Sequence, residues 1–127
     1  MNQCDVEYDT LYNEAYAAGL AADCIPTPMI VQQRANPFDD SSPVIKEWYV
    51  SAGMCGFAWV TVRPATSSFA RWLKRVKGWE TDRYAGGMLF WVSAFGQSYE
   101  RKLAFAQAFA AALRERGINA RANGRLD

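Results

Sequence analysis

Apolar and small residues at Tyr8, Leu11, Tyr12, Ala15, Ala18, Gly19 and Ala22 recur at spacings of three and four. They fall on one stripe of a helix from about Val6 to Ala22. Asp5, Glu7 and Asp9 stand in its first turn, where the helix dipole favours negative charge. The small residues late in the stripe predict close approach to a sheet. From Cys24 to Pro43 the periodicity stops and four of the five prolines appear. That predicts an extended connector wrapped over the surface, with a short edge strand at Met29–Gln33.

The second half is more regular. Phe57–Val62, rich in aromatic and β-branched residues, reads as a strand, and Trp48–Ala52 is a second candidate before a turn at Gly53 and Gly56. Thr66, Ser67 and Ser68 offer caps for a helix to about Lys77, in which Phe69, Trp72, Leu73 and Val76 make the apolar stripe. Its other face carries Arg71, Lys74, Arg75 and Lys77, and Gly78 ends it. Trp79–Tyr84 and Met88–Phe95 read as a hairpin around Ala85, Gly86 and Gly87. Ser98 caps the longest helix, which runs to about Arg116 and stops at Gly117. Ile118–Asn123 alternates apolar with polar residues, as a half-buried last strand does.

In order, residues 57–123 read β-α-β-β-α-β, the split βαβ or ferredoxin-like arrangement of an α+β domain. The expectation is a single domain: an N-terminal helix over residues 1–24, a connector over 25–44 and an α+β core over 45–127. Strands 57–62 and 88–95 are expected as parallel central neighbours with both later helices on one face. Whether Trp48–Ala52 or the last strand pairs with Phe57–Val62 stays open. Both faces of the two central strands are apolar, so the face bearing Trp59 and Trp91 needs a cover. The N-terminal helix is the first candidate, a twofold copy of the chain the second, and a stacked ligand the third.

Composition narrows the function classes. An apolar content of 50% and a charged content of 21% suit a globular domain. No apolar run approaches the roughly 18 residues that cross a bilayer, and Met1–Thr10 is acidic and polar, unlike a signal peptide. A cytoplasmic protein is expected, with no membrane partner. Cys4, Cys24 and Cys55 are irregularly spaced and predict neither a disulfide framework nor a metal site. Histidine is absent, which removes Ser–His and Cys–His nucleophiles, imidazole bases and His-ligated zinc. No pair of carboxylates is placed for acid–base work, and no cofactor motif is present. The reading leans away from an enzyme. Residues 1–62 hold 2 basic and 8 acidic side chains and residues 63–127 hold 12 and 5, so an overall +1 conceals halves of −6 and +7. The acidic half is expected to lie on the basic half, with a basic face kept for an anionic partner as the alternative.

Several constellations could bind. The two strand-to-helix junctions, with Arg63, Thr66 and Ser67 in one and Gln97, Ser98 and Arg101 in the other, are expected side by side at one sheet edge, because their strands are read as parallel neighbours. Free helix N–H groups and two arginines would then hold an anion; ordinary capping is the plainer use of Ser and Thr. Phe57, Trp59 and Trp91 could form a base-stacking platform, although Gly86–Phe95 lacks the basic-Gly-aromatic signature of RNA-recognition strands and a net charge of +1 disfavours a general nucleic-acid binder; core packing is the plainer use of these rings. Cys55 is expected as a small buried residue at a strand start. Asn36, Asp39 and Asp40 read as turn chemistry.

The segments PMIVQQRANPFDDSSP (28–43), CGFAWV (55–60), FGQSYERK (95–102) and GRLD (124–127) together resemble a family of small, functionally uncharacterised proteins encoded by bacteriophages and other mobile elements. No activity, cofactor or site residue comes with that resemblance. It implies a setting: an accessory protein made in a bacterial cytoplasm that disables a host factor. The expectation is thus a non-enzymatic binding protein, taking either a host protein or a small, nucleotide-like anion, and able to form a homodimer through the Trp59/Trp91 face. A nucleic-acid partner on the basic helix face of residues 71–77 is the alternative.

Overall fold

The computed structural model describes residues 3–51, 53–84, 86–96 and 98–127. Along them lie α1 (Gln3–Ala21), β1 (Met29–Arg34), β2 (Val44–Val50), β3 (Gly56–Val62), α2 (Ser68–Trp72), β4 (Glu80–Thr81), β5 (Met88–Trp91), α3 (Tyr99–Glu115) and β6 (Ala120–Leu126). α2 runs on through a π-helical turn, Leu73–Lys77, to Gly78, whose φ of 74° closes it in a left-handed cap. The chain is α+β with two antiparallel sheets, one of β1 and β2 and one of four strands in the order β4-β5-β3-β6.

β6, not the 48–52 segment, pairs with β3, running from Gly56↔Leu126 to Val62↔Ala120. Residues 48–50 belong to β2, which pairs with β1 instead; Ala52 lies outside the described residues. The connector carries the strand expected at Met29–Gln33, here Met29–Arg34. It supplies one strand of a ribbon whose Ile30, Ile45 and Tyr49 are exposed. β3 and β5 are central neighbours, but antiparallel, with Trp59↔Trp91 and Val62↔Met88 as partners. This corrects the parallel expectation. The crossover through α2 returns the chain along β4 in the direction of β3, and the β4–β5 hairpin then reverses it. β4 is short because the Asp82 side chain turns the chain at once, accepting from Tyr84 N at 2.9 Å.

The core lies between the four-stranded sheet and the helices. Ala58, Val60 and Val62 of β3 meet Phe105, Ala106, Phe109 and Leu113 of α3, all with 1% exposure or less. Gly56 and Gly124 make room for Tyr99, which heads α3: a Cβ on either would stand within 2.8 Å of that ring.

α1 does not cover the Trp59/Trp91 face. It packs along α3 and touches α2 on the helical side, through Tyr12 against Trp72 and Phe109 and through Tyr16 against Phe105. Tyr8 Oη donates to Ser68 Oγ at 2.7 Å. The small stripe of α1 meets a helix and not a sheet: Ala15 is fully buried, and a Cβ on Gly19 would lie 2.7 Å from the Phe105 ring. Much of the aromatic excess sits in this seam, where three tyrosines offer rings to the core and hydroxyls to its margin.

Among the described residues, ion pairs join the acidic half to the basic half. Asp5 meets Arg75 at 3.1 Å, Asp9 meets Lys77 at 3.3 Å, Glu14 meets Arg116 at 2.8 Å and Asp23 meets Arg101 at 2.7 Å. No helix among the described residues is long and apolar enough to cross a membrane.

Candidate functional site

The two strand-to-helix junctions do not converge. Arg63 follows the C-terminal end of β3, whereas Ser98 bridges to Cys55 just before its N-terminal end. Seven strand residues, on the order of 20 Å, separate them. Antiparallel pairing of β3 and β5 sends the two helix starts to opposite ends of the sheet. Each hydroxyl serves its own helix, Ser67 Oγ accepting from Ala70 N and Ser98 Oγ from Arg101 N. Thr66 is exposed, and Gln97 lies outside the described residues.

Arg101 is engaged elsewhere. Its Nε and Nη2 donate to the two carboxylate oxygens of Asp23 at 2.8 and 2.7 Å, and its guanidinium lies 4.6 Å from the Phe95 ring. The hydrogen bonds from Arg101 hold the Asp23 carboxyl below the usual carboxylate range, and Asp23 in turn raises the Arg101 pKa. The fork is closed internally.

The basic helix face is likewise partly spent. Arg75 and Lys77 pair with α1, and the Lys77 ammonium also lies 4.6 Å from the Tyr12 ring centre; Arg71 and Lys74 are exposed. Asn36 and Asp39 do act as turn residues, Phe38 N donating to Asn36 Oδ1 and Ser41 N to Asp39 Oδ1. Cys55 is exposed, contrary to the buried placement expected, and Cys4 and Cys24 are exposed too.

The surface that remains is the sheet face away from the helices. Register alone places Phe57, Trp59 and Thr61 of β3 on it, beside Leu89 and Trp91 of β5 and Arg121, Asn123 and Arg125 of β6. Trp91 is 43% exposed. Its ring centre lies 4.9 Å from that of Trp59 and 6.2 Å from that of Phe57, so the three rings form one apolar strip across two strands. The Arg125 guanidinium lies 5.4 Å from the Phe57 ring. A cavity of about 640 Å³ opens over the Trp59 and Trp91 end of the strip, with Arg63, Asp82, Arg83 and Arg125 also in its walls.

Arg63 enters this cavity because Gly87 lets it. At a φ of 89° Gly87 passes close under β3, and a Cβ there would collide with the Val62 carbonyl and lie 2.7 Å from Arg63 Cγ. Arg63 Nε is buried and meets no acceptor among the described residues. A buried, unpaired donor costs on the order of 1–3 kcal/mol, which an anion at this point would recover.

Of the residues here, sequence reading singled out Phe57, Trp59, Trp91 and Arg63, the last in another site. It missed Arg121 and Arg125 as binding residues. The polar phase of the last strand was their signal, but only its register with β3 sets those arginines beside the aromatic strip. No family model matches the chain, and neither curated proteins nor solved structures give a match to it.

Proposed function

We propose that this is a non-enzymatic binding protein whose open sheet face takes an anionic ligand carrying a flat aromatic base, that is, a nucleotide or a nucleotide unit. The observation that carries the reading is the joined Trp59–Trp91 pair, open on one side and walled by Arg63, Arg83 and Arg125. Aromatic faces stack on bases of any identity, and guanidinium groups fork onto phosphate. Everything the function needs here is recognition, which no imidazole or metal has to assist.

The same reading takes residues 57–123 as a ferredoxin-like core. The strand order, the antiparallel neighbours and the two crossings through α2 and α3 support it. In the phage or mobile-element setting that the resemblance implies, such a protein would act in a bacterial cytoplasm, withholding the ligand or disabling a host factor that carries it. A homodimer through the Trp59/Trp91 face would compete for the same surface.

Tryptophan fluorescence titrated with nucleoside mono- and triphosphates and with short oligonucleotides tests the proposal. Quenching by at least one of them, lost in Trp91→Ala with the fold intact, is the expected result. No binding of any of these at millimolar concentration would overturn it.

A further inference from the structure

Resting on that reading of the sheet face, we infer that its ligand is single-stranded nucleic acid, laid along the face with its phosphates on the β6 side, and not a free mononucleotide. The charges of the face are spread along it, not gathered at one point. Arg121 and Arg125 lie on one face of β6, four residues apart, opposite Thr61 and Phe57 of β3. Four strand residues span about 13 Å. A mononucleotide carries its phosphates in one compact group, which one or two neighbouring guanidiniums satisfy. Arginines spread along the length of an aromatic strip fit charges that repeat along a backbone.

The acids support the same direction. Register places Glu80 of β4 on this face opposite Leu89, and Asp82 follows it in the cavity wall beside Arg83. Glu80 and Asp82 thus stand at the β4 margin of the face, while β6 brings Arg121, Asn123 and Arg125, with Asp127 as the one acid in the same phase just past its end. A polyanionic backbone is drawn to the β6 side, and its bases then reach across to β3 and β5. There Trp59 and Trp91 supply stacking surface, with the Asn123 amide opposite Trp59 to donate and accept at a base edge. The overall charge of +1 does not oppose this, because four acids of the N-terminal half are paired on the helical side, away from the face.

The test uses the full chain and fluorescence-labelled thymidylate and uridylate oligomers of one to six nucleotides, with inorganic polyphosphate as a base-free polyanion. Affinity is expected to rise at least tenfold from the mononucleotide to the four-nucleotide oligomer and then level off; the tighter series names the sugar. Arg121→Ala and Arg125→Ala should each lower the slope of log affinity against log salt by about 0.7, and Trp91→Ala should weaken the oligomers while polyphosphate binding, if any, stays unchanged. Circular dichroism melts of the variants separate lost binding from lost fold. An oligomer that binds no better than the mononucleotide overturns this inference and leaves the proposed function standing. Polyphosphate matching the oligomers, with Trp91→Ala without effect, overturns the stacking geometry that both share. Binding of nothing at all removes the proposed function itself.

Discussion

Phe109 has no exposed surface and touches Tyr12, Tyr16, Trp79, Phe90 and Phe105, whereas Trp91 shows 43% of its surface to solvent. The two residues should therefore answer substitution differently. Phe109→Ala removes a ring from the junction of α1, α3 and the sheet, and is expected to cost about 3–5 kcal/mol in denaturant unfolding. Trp91→Ala should cost on the order of 1 kcal/mol, the coupling of one exposed ring to its neighbours, and abolish ligand quenching. Equal losses from both would mean that Trp91 is a core residue. Gly19 makes the opposite test of fit: Gly19→Val drives side-chain atoms into the Phe105 ring, and should lower stability by about 1–3 kcal/mol. Identifying aromatic residues in the sequence was easy; assigning them to core or surface was not. Trp72 and Trp79 are buried against α1, α3 and β5 while Trp59 and Trp91 face the other side of the sheet, a division that only the packing of the helices sets.

Among the elements, the β1–β2 ribbon stands apart. It pairs from Met29↔Val50 to Arg34↔Val44, yet nearly all of β2 is exposed and its tie to the body includes Thr27 donating to Glu100 at 3.1 and 3.2 Å. An isolated two-stranded ribbon is marginally stable in water. Its amides should exchange with solvent far faster than those of β3, and limited proteolysis should cut first within residues 36–42 while leaving residues 53–127 protected; uniform protection would show that the ribbon folds with the core. The end of α1 has a different anchor. Hydrogen bonds from Arg101 depress the Asp23 carboxyl, so its stabilising share is present above the ordinary carboxylate pKa and disappears as pH falls through the depressed value. An NMR titration should place the Asp23 midpoint below that of free aspartate, and Arg101→Ala should return it to the ordinary range. Sequence periodicity placed α1, β3 and α3 within a few residues, because each keeps one period and stops short of a Gly or Pro; the last strand, read as Ile118–Asn123, runs on through Gly124 to Leu126. Strand direction was misread as parallel: the hairpin expected between residues 79–84 and 88–95 reverses the chain after β4, and with β4 running along β3 it makes β5 oppose β3. What pairs with β2 was not: an exposed ribbon leaves no alternation in the burial of its residues that could point to a partner.

At the scale of the whole molecule, the sorted charges and the aromatic excess have one explanation. The acidic α1 segment lies on the basic α2–α3 side, joined by ion pairs and by Tyr8, Tyr12 and Tyr16. Exposed pairs of this kind contribute little each, so the aromatic seam must dominate the attachment. Two manipulations separate these contributions. Neutralising the acids, Asp5→Asn with Asp9→Asn and Glu14→Gln, should leave the melting temperature within a few degrees and the oligonucleotide affinity unchanged, since the sheet face lies on the other side of the core. Removing residues 1–24 should instead uncover the side of Phe105, Phe109 and Trp72 that α1 packs against, and the product is expected to aggregate. Size-exclusion chromatography with light scattering reads the result directly. A truncated chain that stays monomeric and melts cooperatively would show that the α1 seam is dispensable. Ion-pair neutralisation that unfolds the protein would reverse the ranking of charge and packing argued from these contacts.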